Sequence, residues 1–187
     1  MIAFKALILS DTHGSATAWN MVKNMNIEYD AIYHVGDVLY HGPRNPLPKG
    51  YNPALLAKLL KSEPISYVRG NCDADVDLVV LESGEMPRIS ICTFGKHKAV
   101  FVHGDELRND KDRIGLLLKH CADILIYGHS HVPRLESVSG KIILNPGSLS
   151  LPKNSSEATF ATLQFESNKL CFSIRDLHGN VLKELNL

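Results

Sequence analysis

Between Phe4 and His131 the chain repeatedly runs through a short apolar stretch and halts at a polar block. Phe4 to Leu9 stops at Ser10-Asp11-Thr12-His13-Gly14, and Ala31 to Val35 stops at Gly36-Asp37. Ile65 to Val68 stops at Arg69-Gly70-Asn71-Cys72-Asp73, and Asp123 to Tyr127 stops at Gly128-His129-Ser130-His131. Apolar runs this short, bounded by Gly and Asp, predict buried strands that end in loops. Loops at strand ends are how a sheet gathers residues far apart in sequence into one pocket.

The intervening segments supply helices. Ser15 is placed to cap a helix running to about Asn26, and further helices are predicted from Pro53 to about Ser62 and from Asp110 to His120. His41 to Gly50 is dense in Pro and Gly and predicts an extended, ordered loop. Ile89 to Phe94 and Ala99 to Val102 read as a hairpin joined by Gly95-Lys96-His97-Lys98 and feeding His103. Beyond Pro133 the rhythm changes to strands and turns: Arg134 to Val138, Lys141 to Leu144, Thr159 to Phe165, Leu170 to Arg175 and Val181 to Leu185. Strand-helix alternation followed by antiparallel strands predicts an α/β fold with two sheets packed face to face and helices outside. The 187 residues fit a single domain, 1–187, with no repeat or linker.

Composition narrows the function classes. Lysine plus arginine equals aspartate plus glutamate at 20 each, so no net field draws the chain to nucleic acid or an anionic membrane. Cys72, Cys92, Cys121 and Cys171 form no CxxC pair, and a chain of this size needs no disulfide staples. Reduced thiols, the absence of a signal-peptide pattern and the lack of a membrane-spanning run point to the cytoplasm.

The polar blocks carry the chemistry. In an extended segment Asp11 and His13 would lie on one side and could grip one ion; read alone, the better reading is a capping Asp and a solvated His before a helix. Asp37 starts a turn at a second strand end, and a carboxylate there could bridge two cations, the role assigned to it. His129 and His131 repeat the period-two spacing, which suits either metal binding or a mere turn. Together with Asn71 and His103, these carboxylate, imidazole and amide donors suit divalent ions such as Mn²⁺, Fe²⁺ or Zn²⁺. His34, inside an apolar run, reads as a hydrogen-bonded core residue. His97, His120 and His178 read as solvated, His41 has no assigned task, and Trp19 and Tyr127 read as core aromatics.

Taken in order, D-x-H, G-D, G-N-x-D, H-G and G-H-x-H resemble the motifs of the calcineurin-like metallophosphoesterases, and Asn145-Pro146-Gly147-Ser148 is similar to their small bacterial and archaeal branch. The resemblance implies a four-layer αββα sandwich of two mixed sheets holding two divalent ions, usually Mn²⁺, with Zn²⁺, Fe²⁺ or Ni²⁺ as alternatives. It implies that Asp11, His13, Asp37 and His131 hold one ion and Asp37, Asn71, His103 and His129 the other, with Asp37 as the bridge. Two such ions lower the pKa of a bridging water, so hydroxide would attack phosphorus directly.

Asn71, Cys72 and Asp73 are the candidate catalytic residues, and Arg44 and Asn45 the candidate substrate-binding ones. Many family members carry histidine after the motif asparagine, where this chain has Cys72, a poor hydrogen-bond donor that could equally be a small packed residue. Asp73 could orient a ligand from behind. Arg44 could fork onto a phosphate oxygen if its loop folds over the ions. The expected activity is hydrolysis of small phosphate diesters, with no nucleic-acid or membrane partner and, by resemblance, a homodimer or higher homo-oligomer. The competing reading is a non-catalytic scaffold of the same fold that binds proteins, as the small subunit of retromer does. The presence of His13 and Asn71 favours the enzyme. A nuclease ranks last for want of a basic stripe.

Overall fold

The computed structural model describes residues 3–187. Strand side chains alternate between faces, and here the alternation sorts the apolar residues into separate layers. In β1 (Phe4–Leu9), Ala6 and Ile8 face one way, while Leu7 and Leu9 face the other. Ala6 and Ile8 join Phe101, Ile124, Ile126, Leu144, Leu163 and Phe172 in a core between two sheets. Each of the Ile, Leu and Phe side chains, fully buried, contributes roughly 1.5–3 kcal/mol.

The first sheet has the order β11-β10-β9-β1-β2-β3, built from β1, β2 (Ala31–His34), β3 (Ile65–Tyr67), β9 (Thr159–Glu166), β10 (Lys169–Asp176) and β11 (Val181–Asn186). The second has the order β4-β5-β6-β8-β7, built from β4 (Ile89–Phe94), β5 (His97–Val102), β6 (Ile124–Ile126), β7 (Arg134–Val138) and β8 (Lys141–Asn145). Both are mixed. β1, β2 and β3 run parallel in one, and β5, β6 and β8 in the other, with antiparallel strands towards the edges.

Helices α1 (Ala16–Asn24) and α2 (Pro53–Leu60) cover the outer face of the first sheet through Trp19, Val22, Leu56 and Leu60, which pack on Leu7, Leu9, Ile32 and Phe160. Helix α4 (Asp110–Lys119) covers the second sheet through Leu117, against Val100, Leu125, Tyr127 and Ile143. The result is the expected αββα sandwich. Local chemistry starts each helix: Ser15 Oγ accepts from Ala18 N–H, and Asn52 Oδ1 accepts from Leu55 N–H just before Pro53 at the first helical position.

Two expectations need correction. A helix, α3 (Asp75–Leu81), follows the Asn71 block where none was predicted. Its Val76, Val79 and Val80 are β-branched and exposed, so propensity argued against it; buried Leu81 and the bond from Ala74 N–H to Asp77 Oδ2 hold it. The hairpin turn is Gly95-Lys96 alone, because His97 and Lys98 pair with Phe94 and Thr93. That pairing leaves His97 half-buried, and His120, at the end of the helix over residues 110–119, is half-buried as well, whereas His178 is exposed. No helix among the described residues is long and apolar enough to cross a membrane.

Candidate metal centre

The parallel strands deliver their polar blocks to one place. Asp11 and His13 follow β1, Asp37 follows β2, Asn71 to Asp73 follow β3, His103 follows β5, and His129 and His131 follow β6. Two donor groups of carboxylate and imidazole form there, Asp11, His13 and His131 making one and Asp37, His103 and His129 the other, and a third, His13, Asp37 and Cys72, lies across them.

The chain does not reach this arrangement by strand alternation. Asp11, His13, Asp37, His129 and His131 all have positive φ, between 43° and 64°. Non-glycine residues held in this region cost on the order of 1–3 kcal/mol each and persist only where their surroundings fix them. The expectation that Asp11 and His13 share one side of an extended segment is therefore replaced: left-handed residues on either side of Thr12 turn both inward. His129 and His131 likewise diverge, one to each group.

Within the first group, His131 Nε2 lies 3.2 Å and His13 Nε2 3.7 Å from Asp11 Oδ1, and the two Nε2 atoms are 3.3 Å apart. Within the second, His103 Nε2 is 3.4 Å from Asp37 Oδ2, 3.1 Å from Asn71 Oδ1 and 3.3 Å from His129 Nδ1. Asp37 Oδ2 also lies 3.8 Å from His13 Nε2, which puts one carboxylate oxygen beside both groups.

The donor set fits divalent ions. Carbonyls only accept, so His13 Nδ1, His103 Nδ1 and His131 Nδ1 donate to the carbonyls of Tyr40, Val35 and Leu151, at 2.7, 2.8 and 2.6 Å. Each Nε2 lone pair is thereby turned inward. Lone pairs aimed at one another from 3.3 Å satisfy nothing without a cation or proton between them. Asp11 Oδ1 is buried with no hydrogen-bond partner, while Oδ2 accepts from Ser10 Oγ–H and His129 N–H. An ion with ligands about 2.1 Å away spaces neighbouring donors by about 3.0–3.4 Å, close to the separations seen.

Electrostatics agrees. Burial alone would raise the Asp11 carboxyl, but hydrogen bonds and charge from His13, His131 and His103 hold it well below the usual range. Burial opposes charging His103, yet the hydrogen bond to Asp37 and the charges of Asp11 and Asp37 raise it to about 9. Two buried carboxylates thus attract positive charge to this point.

Asp73 works from behind. Its Oδ2 accepts from Asp37 N–H at 2.9 Å and Gly70 N–H at 2.7 Å, and its Oδ1 from Val38 N–H at 2.8 Å. With both oxygens engaged by backbone N–H groups, it holds the Asp37 loop against the Gly70 loop. Asp37 Oδ1 in turn accepts from Cys72 N–H at 2.8 Å, which leaves Oδ2 for the two groups. Gly36 and Gly70 let these loops touch. A Cβ on Gly70 would sit 2.1 Å from Asp37 Oδ1, and one on Gly36, whose φ is +98°, 2.7 Å from the Gly70 backbone. Asn145 donates to Gly128 O and Ser130 Oγ, and Ser148 Oγ donates to Asp11 O, so the Asn-Pro-Gly-Ser block braces the ligand loops.

A cavity of about 720 Å³ opens over the donors, lined by Asp37, Asn71, His129 and His131 on one side. Arg44, Asn45 and Cys72 line it too, as the sequence suggested. Asn45 spends one amide hydrogen on His41 O. Burial, with the charges of Asp37 and Asp73, pushes the Cys72 thiol up to about 12. Tyr40 and Lys153 were not anticipated. The available signal was their position: Tyr40 lies between Asp37 and Arg44, and Lys153 closes the stretch begun at Asn145. His41 does not line the cavity; its ring packs edge-on to Tyr40 and Tyr51.

Residues 4–168 match the calcineurin-like phosphoesterase superfamily domain. The chain belongs to this superfamily. Over 163 residues it is 35% identical to phosphodiesterase YfcE of Escherichia coli strain K12, covering 85% of this chain and 86% of that one. The solved structure of Yfce, a phosphoesterase from E. coli, superposes with a TM-score of 0.81 at 29% identity, covering 97% of this chain and 98% of the other. Vacuolar Protein Sorting 29 from Cryptosporidium parvum shares the fold, with a TM-score of 0.74 at 18% identity over 100% of this chain and 99% of that one. Membership implies divalent metal ions, and the two donor groups are where this chain could hold them.

Proposed function

We propose that the protein is a metal-dependent phosphodiesterase acting on small phosphate diesters. The observation that carries this reading is the pair of donor groups sharing Asp37 Oδ2. Asp11, His13, Asp37 and His131 would hold one ion, and Asp37, Asn71, His103 and His129 the other, with Mn²⁺ the first choice and Zn²⁺, Fe²⁺ or Ni²⁺ as alternatives. When bound, such a pair activates water and offsets the charge that develops on phosphorus. The chain's own residues do the rest. Backbone amides fix Asp73 and through it Asp37, the three carbonyls fix the imidazoles, and Arg44 lines the cavity above them. Cys72 stays a thiol and gives the leaving oxygen little acid assistance, which favours diesters with good leaving groups.

The likeness to YfcE, itself named a phosphodiesterase, supports the diester assignment. The shared fold of Vacuolar Protein Sorting 29 leaves a protein-binding scaffold as the second reading. Metal binding alone does not separate the two readings, since Vps29 of Entamoeba histolytica has been solved with Zn²⁺; turnover does. The deciding experiment pairs metal analysis with hydrolysis of bis(4-nitrophenyl) phosphate. Wild type should bind two ions and turn over the ester, and Asp37→Asn should lose most metal and activity while staying folded. Full metal occupancy with no turnover of any phosphoester would favour the scaffold.

A further inference from the structure

The donors account for only part of the cavity. Arg44 and Lys153 also line it, are exposed, and form no ion pair among the described residues. The chain's formal charge is zero, so these cations do not belong to a general positive field. At physiological salt, fields fade over about 8 Å, and only what enters this cavity meets them.

The backbone around both is tied down. Lys153 N–H donates to His131 O at 3.3 Å, and His131 Nδ1–H donates to Leu151 O at 2.6 Å, lacing this segment to a candidate ligand. Ser156 N–H and Oγ–H both donate to Lys153 O. Arg44 sits between Pro43 and Asn45, whose amide side chain and backbone N–H close the loop onto His41 O and Gly42 O. Tyr40, 42% exposed, adds an aromatic face braced by His41.

A simple diester brings a single negative charge, and two dications set against Asp11 and Asp37 leave about twice the positive charge needed to balance it. Two further cations call for a further anion. We infer that Arg44 and Lys153 form a second anion subsite, so that the substrate is a phosphodiester whose organic arm carries another, non-scissile phosphate. This inference rests on the phosphodiesterase reading and assigns Lys153 a substrate-positioning role.

The test uses Mn²⁺-loaded protein and two esters with the same leaving group: the 4-nitrophenyl ester of thymidine 5′-phosphate, with a free 3′-hydroxyl or with a 3′-phosphate. Wild type should favour the 3′-phosphorylated ester about tenfold in kcat/KM, and Lys153→Ala and Arg44→Ala should each cut that ratio about threefold. Lys119→Ala, remote on α4, should leave the ratio unchanged. The preference should fade near 1 M salt, where screening acts within about 3 Å. Calorimetry provides a readout without turnover: thymidine 3′,5′-bisphosphate should bind more tightly than thymidine 5′-phosphate, and Lys153→Ala should narrow the gap. A wild-type ratio near one, or variants that slow both esters equally, would overturn the subsite. Bis(4-nitrophenyl) phosphate separates the failures. Its hydrolysis with a flat ratio sinks only the subsite, whereas no hydrolysis sinks the phosphodiesterase reading and leaves calorimetry to judge the cation pair.

Discussion

His34 should make the fold acid-sensitive. It is fully buried, and its hydrogen bonds use the neutral ring completely: Nδ1 accepts from Gly36 N–H at 3.2 Å, and Nε2–H donates to Thr12 Oγ at 3.0 Å, which passes a proton on to Val38 O at 2.8 Å. A proton added to Nδ1 would face the Gly36 N–H. Burial accordingly lowers the His34 pKa from 6.5 to about 3. Between those values the unfolded chain binds the extra proton and the folded chain does not, so stability falls as pH drops below 6.5. At pH 5 the loss is about 2 kcal/mol, or roughly 4–8 °C in Tm for a chain of this size. His13 and His103 are shifted the other way and gain stability when protonated, so His34 must be isolated by comparison. His34→Gln keeps an acceptor and a donor but cannot take up a proton. Urea unfolding with chelator present, from pH 7.5 to 5, should show wild type losing about 2 kcal/mol more than the variant. Parallel losses in the two proteins would refute the reasoning.

Two further perturbations probe how Asp37 is held. Gly70→Ala puts a Cβ 2.1 Å from Asp37 Oδ1 and 2.4 Å from its backbone nitrogen, which cannot move freely. Metal affinity should fall at least about tenfold by calorimetry, since outer-sphere disruption commonly costs about 10–100-fold; unchanged binding would mean that the loops separate at no cost. Asp73→Asn turns an amide NH₂ towards backbone N–H groups that now meet carboxylate oxygen. It should lower unfolding free energy by about 1–3 kcal/mol and weaken metal binding together, and loss of stability with metal affinity intact would show that Asp73 does not position Asp37.

Much of the architecture was legible in the sequence because its causes are local. Apolar runs such as Phe4 to Leu9 and Asp123 to Tyr127 cannot stay in water, and the Gly-containing blocks after them cannot continue a strand. Ser15, Asn52 and Asn109 cap their helices with their own side chains, so those starts are written nearby. The donor residues were legible for the same reason: each is the right chemical type at a strand end. Tertiary structure decided which donors meet. That His129 and His131 part company, and that Asp11 and His13 turn inward at positive φ, depends on carbonyls at Tyr40 and Leu151 and on bracing by Asn145 and Ser148. Helix α3 and the places of Tyr40 and Lys153 on the cavity were decided in the same way, by packing between segments far apart in sequence. Sequence periodicity reports whether a residue is buried; which backbone group fixes its side chain depends on partners that only the folded chain brings within hydrogen-bond distance.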